Sequence, residues 1–305
     1  MNETRFEFGK NWSSFLQTID EERVDQAIVS LRNLLLLENT DQPLLGKRFL
    51  DIGSGSGLFS LAAIRLGARV VSIDIDADSY ACTCDLKKRF TTAVSDPSVA
   101  HSAPDWCVYH ASVLDDAFMD TLGQFDVVYS WGVLHHTGQM VRAIEATASR
   151  VDMDGRLAIA IYHDQGGGSR RWHAIKHGYH RLPRFLRPVY VTAVAGVYEC
   201  KFAVARLAAG RNPLPMADWG AKKRDRGMSA WHDWVDWIGG LPFEVAKPEA
   251  IVLPLRHQGF ILENLRTVGS GWGCNEYVFR RMDRGTYSQP IRVQLDDSAH
   301  EPDLS

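Results

Sequence analysis

Short apolar segments alternate with helix-like segments from residue 48 to residue 162, and this alternation constrains the fold more than any other feature of the chain. The sequence predicts strands at residues 48–51, 69–74, 106–110, 125–130 and 156–162. Helices are predicted at 58–66, 77–90 and 142–150. Strands and helices that alternate at this spacing form a mainly parallel sheet covered on both faces. The chain is therefore expected to have an α/β fold.

A glycine-rich turn joins the first predicted strand to the helix that follows it. It reads Leu-Asp-Ile-Gly-Ser-Gly-Ser-Gly over residues 50–57. Glycine lets the backbone turn sharply and approach a ligand closely, and the start of a helix offers unpaired N–H groups. Asp74 ends the next strand, 21 residues beyond Gly53, where a carboxylate can accept both hydroxyls of a ribose. These features predict a nucleoside-containing ligand, and the lack of a P-loop lysine argues against nucleoside triphosphate hydrolysis.

Four segments in this order resemble the class I S-adenosylmethionine-dependent methyltransferases: LDIGSGSG, VVSIDID, HASVLDDAF and FDVVYSWGVLHHTG, within residues 45–165. The resemblance implies a Rossmann-like, mostly parallel sheet of seven strands with the last strand antiparallel. It also implies methyltransferase activity with S-adenosylmethionine as the cofactor. The segment from Arg226 to Pro248 further resembles a bacterial subgroup of these enzymes with no assigned methyl acceptor.

The resemblance also implies roles for individual residues of the cofactor site. Asp51 would lie near the methionine amino group, and Asp74 would hold the ribose hydroxyls. Ile75 would lie against the adenine, and Asp115 would meet the adenine amino group. The other predicted cofactor-binding residues are Gly53, Ser54, Gly55 and Gly57 in the loop, Val113 and Leu114 over the ring, and Ser130 and Trp131 after the fourth strand.

The methyl acceptor is expected beyond the ends of the fourth and fifth strands, because ligands of parallel sheets bind at that edge. His135 and His136 follow the fourth strand, and a neutral imidazole there can take a proton from a hydroxyl or amine during methylation. These two histidines are the predicted catalytic residues. Transfer from a sulfonium is already activated, so packing or capping is the alternative role for both. No metal site is predicted, since Cys82 and Cys84 point apart on a helix.

The α/β alternation stops at Gln165, where a basic segment interrupted by prolines begins. Apolar strands resume at 260–266 and 276–280 and predict an antiparallel hairpin around the glycine cluster 269–273. The predicted division is an N-terminal helical cap at 1–45, a cofactor-binding core at 46–164, a helical insert or lid at 165–250, C-terminal strands at 251–285 and a loosely held tail at 286–305. Residues 165–250 are called the insert below.

The first part of the insert, residues 165–230, carries thirteen Lys or Arg against three acids in a chain of net charge −3. Three explanations remain open: a lid that receives an anionic substrate, an amphipathic element on a membrane that collects a lipid-like acceptor, or helices packed on the core or on a second copy of the chain.

The favoured function is methylation of an oxygen or nitrogen of a small, anionic or glycosylated metabolite. The alternatives are RNA methylation and methylation of a quinone-type acceptor at a membrane surface. The equivalent of the DPPY-like tetrad of many DNA and glutamine methyltransferases reads Ser-Trp-Gly-Val at 130–133, which argues against nucleic-acid amino groups as acceptors.

The composition is that of a globular protein, with 45% hydrophobic and 23% charged residues. The N-terminal residues lack the apolar core of a secretory signal. Five scattered cysteines indicate reduced thiols rather than a disulfide framework. A cytoplasmic location is therefore expected.

Overall fold

Seven strands form the centre of the protein in the computed structural model, which describes residues 19–92, 105–214, 230–269 and 273–283 together with Gly9, Trp12 and Leu16. The strands are β1 (Arg48–Ile52), β2 (Arg69–Asp74), β3 (Trp106–His110), β4 (Phe125–Trp131), β5 (Val151–Tyr162), β6 (Phe260–Arg266) and β7 (Cys274–Arg281). They lie in the order β3-β2-β1-β4-β5-β7-β6. β1 to β5 pair in parallel, whereas β7 runs antiparallel to both β5 and β6. The structure confirms the predicted Rossmann-like, mostly parallel sheet with an antiparallel C-terminal hairpin.

Helices connect the strands and cover both faces of the sheet. They are α1 (Glu21–Leu35), α2 (Leu58–Arg65), α3 (Ala77–Thr92), α4 (Asp116–Thr121), α5 (Met140–Ser149), α6 (Gly167–Arg181), α7 (Arg187–Ala208), α8 (Ala230–Gly239) and α9 (Pro248–His257). α1 begins after Asp20, whose carboxylate accepts a 3.0 Å hydrogen bond from the N–H of Arg23. Such a cap satisfies one of the N–H groups that the first turn of a helix leaves unpaired.

Successive residues of the central strands are buried in two different hydrophobic clusters. Phe49 of β1 and Val127 of β4 belong to the cluster formed with α1, α2 and α3, whereas Leu50 and Val128 belong to the cluster formed with α5 and α9. Side chains alternate between the faces of a strand, so burial on both faces requires the nearly continuous apolar segments seen in the sequence. The carboxyl ends of β1, β2 and β4 consequently meet at one edge, where such sheets bind ligands.

The insert adds a helical layer beside that edge. α6, α7 and α8 bury a third hydrophobic cluster that contains Trp172, Tyr179, Val191 and Ile238. The two ends of the insert meet beside β5. The N–H of Ala246 donates to the carbonyl of Tyr162 at 2.9 Å, and the N–H of Asp164 donates to the carbonyl of Ala246 at 3.1 Å. The insert therefore leaves and rejoins the core at almost the same point.

Two elements differ from the sequence-based expectations. α9 was not predicted, and the boundary placed at residue 250 falls inside it; Pro248 and Pro254 obscure its helical pattern, although Ile251 and Leu255 are buried one turn apart. β5 begins at Val151 rather than at residue 156, because its first residues are polar and pair irregularly with β4.

Some predictions concern residues outside the described ranges. These are most of the N-terminal cap before residue 19, the loop at 95–104, the segment 226–229, part of the glycine cluster 269–273 and the tail. Within the described ranges, no helix combines the length and the apolar character that a membrane crossing requires.

Candidate active site

The glycine loop between β1 and α2 adopts a backbone that only glycine accommodates easily. Gly53, Gly55 and Gly57 have φ angles of 76°, 56° and 82°. A Cβ at Gly53 would lie 2.4 Å from the side chain of Val133, in the turn after β4. Ser54 is fixed by a 2.9 Å hydrogen bond between its hydroxyl and that of Thr83. α2 starts after Gly57, and no side chain caps its first turn. The N–H groups of that turn are therefore not satisfied by a side-chain cap.

Asp74 ends β2 beside this loop and is 8% exposed. Its Oδ2 accepts a 2.9 Å hydrogen bond from the N–H of Gly55, and its Oδ1 accepts one of 2.9 Å from the N–H of Asp76. Burial raises the pKa of Asp74 to about 6, and the two backbone hydrogen bonds oppose that rise. A carboxylate has about four lone-pair sites, so two hydrogen bonds leave capacity for a diol.

Asp51 lies on β1 and is 2% exposed. Burial raises its pKa to about 7, although the hydroxyl of Ser60 donates to Oδ2 at 2.5 Å. The hydrogen-bonded chain continues from Ser60 to Ser72 at 2.7 Å and from Ser72 to Nε1 of Trp106 at 2.7 Å. Since an indole N–H only donates, the whole chain directs hydrogen bonds toward Asp51.

The residues predicted around the adenine follow β2 and β3. Ile75 is 45% exposed, which is high for an isoleucine, and its carbonyl is within 2.9 Å of Nε2 of His110. Val113 is buried and Leu114 is half-buried. Asp115 is exposed and caps α4, because Oδ1 accepts a 3.1 Å hydrogen bond from the N–H of Phe118. Their contacts with the adenine stay predictions.

Ser130 and Trp131, at the end of β4, use their polar groups within the fold. The Ser130 hydroxyl donates to the carbonyl of Ile52 at 3.0 Å and links β4 to β1. The Trp131 indole donates to Oε1 of Glu276 at 2.9 Å and links β4 to β7. Cofactor contacts of these two residues also stay predictions.

Trp12 lies against the glycine loop, which the sequence did not predict. A Cβ at Gly55 would lie 2.9 Å from the indole ring. Trp12 therefore contacts the loop as well as packing against the core. An aromatic side chain, a tight glycine loop, uncapped N–H groups and a buried carboxylate together fit an adenosine with a charged tail, as S-adenosylmethionine has.

His135 occupies a turn of 3₁₀ helix after β4 and is fully buried. Neither ring nitrogen meets full hydrogen-bond geometry with a described residue, although the Ala160 backbone lies close enough to favour the protonated ring. Burial holds the pKa of His135 well below its ordinary value of 6.5, and His136 and Lys176 lower it further. The imidazole is therefore neutral and able to accept a proton. Nδ1 of His136, by contrast, is 2.6 Å from the carbonyl oxygen of Pro242.

Aromatic rings from β5 and the insert form a cluster that reaches His135 through Tyr162. The ring centre of Tyr162 lies 3.8 Å from that of His135, and Trp237 and Phe243 lie 4.8 Å and 5.5 Å from Tyr162. This aromatic cluster of Tyr162, Trp237 and Phe243 stands at the ends of β4 and β5, next to the edge that carries the glycine loop. The sequence placed Tyr162 at the end of the fifth strand and left a lid role for the insert open, but it did not identify Trp237 and Phe243 as neighbours of Tyr162.

Lys176 of α6 is buried inside the insert, at 0% exposure. Its ammonium donates to the carbonyl of Trp237, and Nζ lies 4.7 Å from the ring centre of Phe243. Burial lowers its pKa from 10.5 to about 7, and Asp236 opposes that change. The sequence placed this lysine only within the basic segment that begins at Gln165. The burial of Lys176 could have been predicted, because Trp172, Lys176 and Tyr179 lie on one face of the helix.

Comparisons with known proteins find one matching family profile. The profile described as "Methyltransferase domain" matches residues 21–190. The chain is 27% identical over 197 residues to the ubiquinone biosynthesis O-methyltransferase of Brucella melitensis, covering 61% of this chain and 72% of that protein. It is 28% identical over 144 residues to the mitochondrial enzyme of the same name from Bos taurus, covering 47% and 36%.

Solved structures with detectable likeness include magnesium protoporphyrin IX methyltransferase from Synechocystis PCC 6803 with bound SAM. That structure has a TM-score of 0.44 and 15% identity, with 84% of this chain and 78% of that chain covered. The N-methyltransferase NodS from Bradyrhizobium japonicum in complex with S-adenosyl-L-homocysteine has a TM-score of 0.44 and 14% identity, with 85% and 87% covered.

Proposed function

The chain belongs to the Methyltransferase domain family of class I S-adenosylmethionine-dependent enzymes, and on this premise we propose that it methylates an oxygen of a small aromatic acceptor. The observation that carries the proposal is the aromatic cluster of Tyr162, Trp237 and Phe243, whose Tyr162 ring packs against the neutral, buried ring of His135. Aromatic rings favour offset or edge-on contacts with one another, so a ring-bearing ligand is the natural occupant of such a region.

S-adenosylmethionine, when bound, supplies a methyl group activated on a sulfonium. The glycine loop and Asp74 would hold its adenosine, and Asp51 its amino group. His135 would accept the proton that a hydroxyl acceptor loses, because its low pKa keeps the ring neutral. The aromatic cluster would orient the acceptor and keep water away from the reacting oxygen.

The curated relatives support oxygen as the acceptor atom, because they carry the name of O-methyltransferases of ubiquinone biosynthesis. This acceptor class is narrower than the one expected from the sequence, which was an oxygen or nitrogen of any small anionic or glycosylated metabolite. Rings line the region beside His135, whereas a sugar would require a set of polar side chains.

Transfer of a radiolabelled methyl group to matched panels of phenols, aryl amines and glycosides tests this function. We expect labelled product from phenols, and a Phe243→Ala variant that needs a higher phenol concentration for half-maximal rate. Phe185→Ala is the matched control, because Phe185 is 77% exposed on the insert. Failure to bind S-adenosylmethionine, or labelling of amines or glycosides alone, would contradict the proposal.

A quinone-type acceptor taken from a membrane surface is a second candidate, and one observation favours it. α7 exposes a stripe of apolar side chains: Val189, Val197, Val204 and Leu207, each at least 60% exposed. Phe185 in the preceding turn is exposed as well, and basic Arg184 and Lys201 lie nearby in the chain. Exposed apolar and basic side chains together are typical of surfaces that rest on anionic lipid.

Flotation with vesicles tests this second candidate. The protein should float with vesicles that contain phosphatidylglycerol, and Val197→Glu with Val204→Glu should abolish flotation without changing phenol methylation. Val141→Glu with Val29→Glu is the control pair, since both valines are exposed outside the insert. Equal flotation of the two double variants would contradict a role of α7.

A further inference from the structure

We propose that Lys176 stabilises the phenolate oxygen that forms on the acceptor ring as His135 takes the proton of its hydroxyl, so that the enzyme selects acidic phenols. This inference rests on the proposed function, whose acceptor it specifies. Lys176 lies on α6 of the insert, and His135 follows β4 of the core. Recognition of the acceptor would then be divided between the two parts of the chain.

The surroundings of Lys176 leave its ammonium with unused donors. An ammonium has three N–H groups, and the carbonyl of Trp237 is the acceptor that the described residues provide. Ring faces take the place of further acceptors: Nζ lies 4.7 Å from the ring centre of Phe243, 5.3 Å from that of Trp237 and 5.8 Å from that of Tyr162. Such contacts stabilise a cation partially and also form a suitable lining for a flat ring.

His135 provides an independent indication of a ligand. Its ring is fully buried, and beyond the nearby Ala160 backbone neither ring nitrogen meets hydrogen-bond geometry with a described residue. Buried polar groups are rarely left unsatisfied, because each costs free energy comparable to a lost hydrogen bond. Tyr162 adjoins both groups, since its ring centre is 3.8 Å from that of His135 and 5.8 Å from Nζ of Lys176. An oxygen-bearing ligand beside Tyr162 would meet the unsatisfied groups of both residues.

The charge balance around Lys176 suits an anion. Asp236 on α8 is the acid that favours its protonated form. His135 from the turn after β4, and His173 and His180 from α6 itself, face Lys176 with pKa values lowered by burial, so among the described neighbours Asp236 is the acid set against its charge. Burial lowers the pKa of Lys176 to about 7, so a phenolate would compensate for the loss of solvation and restore the charged form.

Binding of 4-nitrophenol tests the inference without turnover, because its phenolate absorbs visible light and its phenol does not. We expect the wild-type protein to bind the phenolate and to lower the pH at which the bound probe ionises. Lys176→Met should weaken phenolate binding by roughly 10- to 100-fold and raise that pH, as loss of a charged hydrogen bond predicts. Binding of neutral 4-nitroanisole should stay unchanged in the variant.

Lys201→Met is the control, because Lys201 is exposed on α7 and its variant removes the same charge from the insert. If the Met variant does not fold, Lys176→Gln keeps a donor for the carbonyl of Trp237 and serves in its place. Phenolate binding that is equal in wild type and variant would overturn the role of Lys176 and leave methylation of phenols intact. Failure of the wild-type protein to bind either probe would overturn the aromatic acceptor itself and the inference with it.

Discussion

The N–H of Gly55 donates a 2.9 Å hydrogen bond to Oδ2 of Asp74, so the acid predicted to hold the ribose also holds the glycine loop. Its other oxygen accepts from the N–H of Asp76 at 2.9 Å. Asp74 therefore links the cofactor loop to the end of β2 before any ligand binds. Substitutions at this position are expected to affect both the loop and the cofactor.

Asp74→Asn should weaken binding of S-adenosylhomocysteine and lower stability together. Both carboxylate oxygens accept backbone N–H groups, whereas an amide offers only one oxygen and turns its NH₂ toward the other N–H. We expect a loss of roughly 1–3 kcal/mol in the free energy of unfolding and at least about tenfold in affinity. Urea denaturation and calorimetry measure the two effects. Asp116→Asn, at an exposed ion pair with Arg142, should change neither, and unaltered affinity in a folded Asp74→Asn protein would show that the acid is misassigned.

Asp51→Asn should change how stability depends on pH. Because burial raises the pKa of Asp51 from 3.8 to about 7, the native state holds this proton more tightly than the unfolded state does. Its stabilising contribution is complete below about pH 4 and is lost as the pH rises through about 7. A tenfold difference in acidity is worth about 1.4 kcal/mol, so the wild type should lose roughly 2–4 kcal/mol relative to the variant across that window. Parallel stability curves for the two proteins in urea would contradict the raised pKa.

His135→Phe separates catalysis from packing. Phenylalanine keeps a flat ring and removes two buried unsatisfied nitrogens, so the free energy of unfolding should stay unchanged or rise by up to about 2 kcal/mol. Methyl transfer should fall by roughly 10²–10⁴-fold, the usual contribution of a general base. The wild-type rate should stay level near neutral pH and decline only in acid, because the pKa of His135 lies well below its ordinary value.

Steady-state rates across pH measure this effect, and the acid decline should disappear in the His135→Phe protein. His257→Ala is the control, since that histidine is exposed at the end of α9. Near-normal turnover with an unchanged pH profile would reduce His135 to a packing residue. Attention would then move to His136, whose Nδ1 is 2.6 Å from the carbonyl of Pro242.

Trp12 should report cofactor binding by fluorescence. Its indole lies against Gly55, so a ligand on the glycine loop must change its surroundings. We expect S-adenosylhomocysteine to change the emission of the wild type and to have little effect on Trp12→Phe. Trp231→Phe is the control, because Trp231 is 46% exposed on the insert and should leave the response intact. A full response in the Trp12→Phe protein would remove Trp12 from the cofactor site.

The sheet was predictable because its strands carry their own signal. β2, for example, is bounded by Gly67 and the acid at Asp74, and its apolar residues must be buried on both faces. α9 was missed because Pro248 and Pro254 are read as breaks, although one lies in the first turn and the other on an exposed position. The sequence pattern therefore predicts a break where the folded protein accommodates both prolines within a helix.

The glycine loop could be located from sequence, whereas the surroundings of His135 could not. Lys176 and Trp237 are distant from His135 in the chain. Lys176 meets Trp237 through the packing of α6 against α8, which the sequence does not reveal. A lysine in a basic segment gives no sign of burial unless its helical stripe is considered. Trp12 was missed for a similar reason, since its contact with Gly55 joins residues that are far apart in the chain.

The hydrogen bonds that join Tyr162, Asp164 and Ala246 have an evolutionary consequence. Because the insert leaves and rejoins the core at neighbouring positions, its length and sequence can diverge without shifting the register of any strand. Loop-closure entropy rises only slowly with length, so a longer or shorter cassette costs little in stability. Related proteins could replace this insert with another and bind a new acceptor, while the core that binds the methyl donor stays the same.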